Sequence, residues 1–517
     1  MIGAEAVVRS LVASGVDVVF ANPGTSEMHF VAVLDAVPEM RGVLTLFEGV
    51  ATGAADGYAR MRDSPAAALL HLGPGLGNGL ANLHNARRSH APVVVVVGDH
   101  AGYHARYDAP LQSDIETVAR NVSSWIRHSA QAEHAGTDAA AAVAAASTPP
   151  GQVATLILPA DVSWSEGGSV AAPVARKGRE DVAAATIEAV ASRLRSSEPS
   201  ALLLGGSALR ERGLRAAARI AAATGTALLA ETFPARLERG AGLPEVQRLP
   251  YLGEMASGQL DGLRHLVLVE AHAPVSFFAY PGKPSELVPE RCEVSVLAGG
   301  GEDAPAALEA LADAVDAGTD VAAAGSSRPG RPTGALGAES IALAIGALLP
   351  EGAIVSDEAN TSGTFLPAST AGAPKHDWLT LTGGSIGQGM PVAVGAAIAC
   401  PDRPVVALVA DGSALYTLQS LWTMAREQLD VTTVIFSNRR YAILRMELAR
   451  VGATASGGRA LQMLDISPPE IDFVALARGF GVPASRPETA EAFSEALEHA
   501  FHEPGPHLIE AIVPSLF

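Results

Sequence analysis

Short runs of aliphatic and β-branched residues alternate with amphipathic stretches along almost the whole chain. Examples of such runs are VVVVVG, VATLILPAD and VVALVA. Runs of this kind are typical of buried parallel strands, because βα units place helices on both faces of a sheet. The alternation therefore predicts an α/β fold made of doubly wound parallel sheets.

The chain divides into three blocks of this pattern. Its 517 residues exceed what one hydrophobic core supports, since domains average about 150 residues. We expect a first domain over residues 1–165, a middle domain over 180–320 and a third over 335–517. The Ala-, Gly- and Pro-rich stretch 318–335 has the composition of a linker. The first and third blocks share one order of elements, which predicts two domains of similar design.

Composition excludes several classes of function. The 36 Lys and Arg against 55 Asp and Glu give a net charge of −19, which would repel nucleic acid. Cys292 and Cys400 cannot form a disulfide framework, so we expect a cytoplasmic protein. No apolar run approaches the roughly 20 residues of a membrane span, and no signal peptide is recognisable.

Two strand ends in the third block carry residues suited to a metal and a phosphate. The run VVALVA leads to Asp411, and the next run, VTTVIF, is followed closely by Asn438. A right-handed crossover places both side chains at one edge of the sheet, where their oxygens suit Mg²⁺. Gly412, Ser413 and Ala414 would offer N–H groups to phosphate. The alternative is a turn with an N-cap Asp and a surface Asn.

This arrangement resembles the thiamine diphosphate motif, GDG followed one crossover later by NN. Ala410 replaces the first Gly, and Ser437 replaces the first Asn. The resemblance implies that Asp411, Asn438 and the main-chain carbonyl of Arg440 hold Mg²⁺ against the cofactor's diphosphate. The similarity to this family runs from residue 1 to about residue 510 and is weakest in the middle domain.

A carboxylate in the first block is a candidate for activating the cofactor. Glu48 follows an apolar run in LTLFEGVATGAADGYAR. On spacing alone it could be a helix N-terminal Glu favoured by the helix dipole. The segment is similar to the pyrimidine-binding domain of the decarboxylase and acetolactate synthase group. The resemblance implies that Glu48 hydrogen-bonds N1′ of the aminopyrimidine and promotes the imino tautomer, which takes the C2 proton.

Two further segments match family elements of the third block. In GGSIGQGMP, the resemblance implies that Ile386 wedges under the bent cofactor and that the Gly384 carbonyl accepts from its amino group. Without the resemblance, Ile386 could be an ordinary core residue. In SDEANTSG, the resemblance implies that Asn360 and Thr361 make additional contacts to the diphosphate.

The N-terminal segments FANPGTSEM and LLHLGPGLGN resemble benzoylformate decarboxylase. Thr25 falls at that enzyme's active-site Ser and His71 at an active-site His, whereas GPG is more like acetolactate synthase. A strand-end His can equally be structural. The second active-site His of that decarboxylase falls near position 279, which is Ala279 in this chain. The aromatic residue expected after the Mg²⁺-binding loop falls at position 447, which is Glu447 in this chain. These departures leave the substrate open.

The sequence thus predicts a thiamine diphosphate- and Mg²⁺-dependent enzyme that decarboxylates a small 2-oxo acid and protonates or ligates the enamine, as an acetolactate synthase-like enzyme would. One alternative is a non-catalytic, cofactor-binding regulatory homologue, and another is a simple benzoylformate decarboxylase-like enzyme. The middle domain has no Gly-rich dinucleotide fingerprint, so we expect no required flavin. The resemblance implies a homodimer or homotetramer, in which the pyrimidine-binding domain of one subunit faces the diphosphate-binding domain of another.

Overall fold

The computed structural model describes residues 1–453 and 458–516. It contains a six-stranded, a five-stranded and a seven-stranded sheet, each packed with helices. The predicted α/β fold class with three doubly wound sheets is confirmed. No helix in these ranges is long and apolar enough to cross a membrane.

The first sheet is parallel throughout, in the order β2-β1-β3-β4-β6-β5. Its strands are β1 (Val18–Ala21), β2 (Arg41–Leu44), β3 (Ala66–His71), β4 (Val93–Asp99), β5 (Trp125–His128) and β6 (Val153–Pro159). Its helices are α1 (Gly3–Ala13), α2 (Met28–Val33), α3 (Glu48–Arg62), α4 (Leu72–Arg88), α5 (Ile115–Ala119), α6 (Ala132–Ser147) and α7 (Ala160–Trp164). The central strands are apolar along their length because helices cover both faces.

The middle sheet has the order β10-β8-β7-β11-β12 and is also parallel. The strands of this part of the chain are β7 (Ser200–Leu204), β8 (Ala227–Ala230), β9 (Leu237–Arg239), β10 (Gln247–Arg248), β11 (His265–Val269) and β12 (Glu293–Ala298). The helices are α8 (Ala184–Leu194), α9 (Glu211–Thr224), α10 (Gly253–Leu260) and α11 (Ala304–Ala314).

The third sheet has the order β17-β18-β16-β15-β13-β14-β9. Its own strands are β13 (Ile354–Glu358), β14 (His376–Thr380), β15 (Val405–Ala410), β16 (Val431–Ser437), β17 (Ala484–Ser485) and β18 (His507–Ile512). Its helices are α12 (Ala338–Leu348), α13 (Leu366–Ser369), α14 (Gly389–Ala399), α15 (Asp411–Ala414), α16 (Ser420–Glu427), α17 (Ala442–Arg450), α18 (Gly458–Gln462), α19 (Phe473–Gly479) and α20 (Ala490–His502).

One edge of the third sheet is antiparallel. Strand β9 comes from the middle part of the chain but pairs antiparallel with β14, Leu237 lying opposite Trp378. An antiparallel edge strand is common on a parallel sheet, because it needs no crossover helix. The middle and third sheets are therefore joined by main-chain pairing.

Helix α8 lies in the polar stretch that precedes β7, because only one of its faces is apolar. Three local predictions also need correction. The run AAALLHL predicts a strand followed by a Gly-rich loop, but α4 begins directly after β3 and includes those glycines. The run LYTLQSLWTMAREQL predicts a helix over residues 415–429, but the helix is limited to Ser420–Glu427. The run LTLFE predicts a strand that ends at Glu48, but β2 ends at Leu44 and Glu48 is the first residue of α3.

Helices α3 and α14 cross in close main-chain contact and join the first sheet to the third. A Cβ atom built on Gly57 would lie 2.1 Å from the carbonyl oxygen of Val392, and one on Gly395 would lie 1.9 Å from that of Ala54. Only glycine allows helix backbones to approach this closely. The crossing lies next to two candidate site segments, since α3 begins with Glu48 and α14 follows the GGSIGQ loop.

Candidate active site

Asp411 lies at the carboxyl end of β15 and is only 2% exposed. Its carboxylate accepts hydrogen bonds from the main-chain N–H groups of Gly412 at 2.8 Å and Arg439 at 2.5 Å. Burial raises the pKa of the Asp411 carboxyl to about 6. Within residues 1–453 and 458–516, no Lys or Arg side chain forms an ion pair with it. A buried, uncompensated carboxylate suits a bound cation.

Asn438 follows β16 at the same edge and is nearly buried. Its side-chain oxygen accepts from the Arg440 N–H at 3.0 Å, and its amide approaches the Ser362 hydroxyl at 3.5 Å. Arg439 has φ +59°, which turns the chain sharply between them. Arg440 and Asp465 lie opposite each other in an isolated β-bridge, but the hydrogen bonds of this bridge are formed by the residues on either side of them. The Arg440 carbonyl therefore takes no part in these hydrogen bonds.

Asn360 approaches the same edge from the turn after β13. Its amide donates to the Ser413 hydroxyl at 3.0 Å, so the turn and the DGSA segment are in direct contact. Gly412 packs against the Tyr441 ring, which a Cβ atom would approach to 2.5 Å, and Ala414 is buried. Thr361 lies in the same turn as Asn360.

The loop that precedes α14 is hydrogen-bonded to a buried carboxylate. Glu358, at the end of β13, accepts from the N–H groups of Gly387 and Gly389, each at 2.6 Å. Burial raises the pKa of Glu358 to about 7. Gly384 and Gly387 have φ +73° and +92°, conformations that favour glycine. Ile386 is partly exposed between them, so it is not an ordinary core residue.

Glu447 lies near this loop and is not turned to solvent. Its carboxylate accepts from the Tyr251 hydroxyl at 3.3 Å and lies 3.5 Å from Arg450 Nε. The Tyr251 ring lies 5.1 Å from that of Phe277, which packs against Gly384. An aromatic contact therefore connects Glu447 to the loop before α14.

Glu48 opens α3 and is 6% exposed. One of its oxygens accepts from the Asn78 amide at 3.0 Å. Asn82, one turn further along α4, donates to the carbonyls of Gly49 at 2.8 Å and Gly387 at 3.2 Å. Asn82 thus ties the start of α3 to the loop that contains Ile386, a link that no sequence pattern predicted.

His71 ends β3 and has a carboxylate partner. Its Nδ1 lies 2.8 Å from a Glu27 oxygen that also accepts from the Gly24 N–H at 2.8 Å. Glu27 is 2% exposed, and burial raises its pKa. Sequence reasoning missed Glu27, although it follows β1, which pairs with β3. His71 and Thr25 line a cavity of about 270 Å³.

Glu48 and His71 both lie close to Gly75 in the first turn of α4. A Cβ atom built on Gly75 would be 3.3 Å from a Glu48 carboxylate oxygen and 3.3 Å from the His71 Cβ. The structure therefore brings these two predicted residues together. In the described part of the chain, no hydrogen bond or ion pair joins Glu48 to Asp411 or Asn438.

Two related α/β domains, each with polar and ionisable side chains at the carboxyl edge of its sheet, are typical of enzymes that bind a diphosphate cofactor between the two domains. Residues 1–119 match the N-terminal TPP binding domain of thiamine pyrophosphate enzymes, and residues 367–511 match their C-terminal TPP binding domain. The chain belongs to the thiamine pyrophosphate enzyme family.

Individual relatives agree with this family. The chain is 63% identical to "Putative acetolactate synthase large subunit IlvX" of Mycobacterium tuberculosis over 100% of both chains. It is 30% identical to a benzoylformate decarboxylase of Pseudomonas aeruginosa over 96% of each chain. The solved thiamine diphosphate-dependent 4-hydroxybenzoylformate decarboxylase of Rhodococcus jostii RHA1 superposes with a TM-score of 0.86 at 25% identity, covering 99% of both chains. The protein is therefore a thiamine diphosphate enzyme of the acetolactate synthase and benzoylformate decarboxylase type.

Proposed function

We propose that this protein decarboxylates a 2-oxo acid with thiamine diphosphate and Mg²⁺, and then protonates the product or joins it to a second carbonyl compound. The observation that carries this proposal is the placement of Glu48 and His71 close to the same residue, Gly75. A carboxylate for the cofactor and an acid–base group for the substrate would then act at neighbouring positions. The printed names of the relatives, a synthase and two decarboxylases, support the same reaction class.

The third domain would hold the charged end of the cofactor. The carboxylate of Asp411, the side-chain oxygen of Asn438 and the carbonyl of Arg440 are hard oxygen donors that would hold Mg²⁺. The described residues contain no cluster of three or more His, Cys, Asp or Glu side chains that could hold a metal alone. Diphosphate oxygens would therefore complete the coordination. Ser413 and Asn360 would contact the same phosphates.

Thiamine diphosphate, when bound, supplies a carbon nucleophile for the 2-oxo carbonyl and an electron sink for the electrons left by CO₂. Glu48 would hydrogen-bond the pyrimidine, and Gly384 and Ile386 would hold its ring. His71 would hold a proton near the substrate carbon and release it to the product. An ionised Glu27 would accept from His71 Nδ1–H, which would fix the tautomer and leave Nε2 to exchange protons. Thr25 would contact the substrate from the same cavity.

The test is CO₂ release from pyruvate, longer 2-oxo acids and benzoylformate, with thiamine diphosphate and with or without Mg²⁺. Glu48→Gln should slow release by at least about 10²-fold, the usual scale for a lost acid–base group. Glu116→Gln, at an exposed position in the first turn of α5, serves as the matched control. Cofactor binding without CO₂ release from any of these acids would instead identify a non-catalytic homologue. Release from benzoylformate alone, with an aldehyde product, would identify a simple decarboxylase.

A further inference from the structure

The cavity beside His71 contains two imidazoles that the proposed reaction does not use. His100 and His104 line it together with His71 and Thr25. Both belong to the segment after β4, which crosses the carboxyl edge of the first sheet. Their rings lie 5.5 Å apart. The cavity is therefore bordered by three imidazoles from two neighbouring strand ends.

A metal does not account for this grouping. In the ranges that the structure describes, no three His, Cys, Asp or Glu side chains are arranged to hold an ion. The buried Nε2 of His100 has no hydrogen-bond partner among the same residues. An unpaired buried ring nitrogen destabilises the fold unless a ligand satisfies it. A hydrogen-bonding ligand would remove this cost.

The surroundings favour an anionic group on that ligand. The residues lining the cavity include no Lys or Arg, so its imidazoles are the groups able to become cationic. Asp99 accepts from the main-chain N–H of His100 at 2.7 Å, and its carboxylate interacts electrostatically with the imidazoles of His100 and His128. A neutral imidazole donates from one ring nitrogen and a protonated one from both, so an anionic ligand would favour the protonated form and gain a second donor from it.

The cavity's size and remaining walls limit the rest of the ligand. A volume of about 270 Å³ is at the small end for ligand sites, and Leu72, Leu111 and Trp164 supply apolar surface. We infer that His100 and His104 bind a second carboxylate of the substrate, so that the preferred substrate is a short 2-oxo dicarboxylic acid. This inference rests on the proposed function, because it takes His71 to lie beside the reacting carbon of the 2-oxo acid.

Binding without turnover tests the inference separately from the reaction. Calorimetric titration should show that glutarate binds the wild-type protein at least tenfold more tightly than pentanoate, which has the same chain length and one carboxylate. His100→Gln and His104→Gln, made separately, should each remove most of this difference. His134→Gln, on the exposed face of α6, should leave it unchanged. Equal binding of both acids by the wild type would overturn the inference.

Kinetics supply the second readout. The wild type should have a kcat/KM at least tenfold higher for 2-oxoglutarate than for 2-oxopentanoate, and both His→Gln variants should lose this preference through KM. Activity on both acids without a preference overturns the dicarboxylate inference and leaves the proposed function intact. Selective glutarate binding without any CO₂ release supports the inference and overturns the proposed function. Circular dichroism and the thermal midpoint of each variant confirm folding.

Discussion

Asp411 is a buried carboxylate that has no cationic side-chain partner among residues 1–453 and 458–516, and this isolation makes its role testable. Asp411→Asn should lower thiamine diphosphate affinity by at least about 10²-fold in the presence of Mg²⁺, because a neutral amide binds the ion weakly. The thermal midpoint should stay the same or rise, since an uncompensated buried charge is removed. Fluorescence titration measures the affinity, and Asp402→Asn, in an exposed turn, is the control. Equal wild-type affinity with and without Mg²⁺ would contradict the metal site.

In the proposed reaction Glu27 would act only through its contact with His71, so the effects of replacing the two residues should be coupled. His71→Ala should lower turnover by about 10²–10⁴-fold while sparing cofactor affinity. Glu27→Gln should lower it less and shift the pH–rate profile, because an amide does not stabilise a protonated imidazole. The double variant should be no slower than His71→Ala alone. Additive losses would show that Glu27 affects the fold and not the His71 proton.

The residues at strand ends were predictable, whereas their partners were not. Asp411, Asn438 and His71 each follow or end an apolar run, which the sequence displays directly. Glu27 lies in a short 3₁₀ turn, and only the pairing of β1 with β3 brings it to His71. Such partners depend on sheet order, which a local pattern does not reveal.

At the scale of elements, the α3–α14 crossing depends on glycine. Gly57→Ala would push a methyl group into the Val392 carbonyl, so the helices must separate. We expect a lower thermal midpoint and a loss of about 1–3 kcal/mol or more. Gly77→Ala, on α4 with open space around it, should instead be neutral or stabilising by up to about 1 kcal/mol. Differential scanning calorimetry compares them, and equal midpoints would show that the crossing tolerates separation.

His376 on β14 makes stability sensitive to acid. Burial lowers the pKa of its imidazole to about 4, and Arg239 adds to the shift. The folded state therefore keeps His376 neutral, while the unfolded chain takes up a proton below about pH 6.5. Its contribution, about 3 kcal/mol at most, is complete above pH 6.5 and is lost as the pH falls to about 4.

Replacing this histidine checks the assignment. His376→Asn should show a smaller fall of the thermal midpoint between pH 7 and pH 4.5 than the wild type. His134→Asn, at an exposed position, should follow the wild type. An unchanged pH dependence in His376→Asn would assign the acid sensitivity to other groups.

Element types were predictable where apolar runs are long, as in β4 and β15. Helix α4 was misread because glycines favour loops by propensity, but packing against α3 and β3 stabilises a helix there. Strand β9 has only three residues, and its partner lies far along the chain. Short elements fixed by tertiary pairing have no periodicity to detect.

For the whole molecule, the candidate residues lie on two sheets, and this division predicts shared sites between subunits. Mixed Glu48→Gln and Asp411→Asn chains should form hybrids in which one of the two sites is intact. Random exchange in a homodimer should restore about a quarter of wild-type activity. Differently tagged chains and affinity capture verify the hybrids, and the captured hybrids, with one intact site of two, should have about half of wild-type activity. Verified hybrids without activity would indicate a site contained within one chain.

The pairing of β9, from the middle part of the chain, with the third sheet also has a consequence for synthesis on the ribosome. Strand β9 is synthesised first, and β14, its partner, follows about 140 residues later, which takes roughly seven to thirty seconds at usual translation rates. Throughout that interval the nascent middle segment carries an unpaired strand, and a nascent third sheet would lack its edge. We therefore expect the last two thirds of the polypeptide to acquire protease resistance together, after translation has passed β14, and not domain by domain.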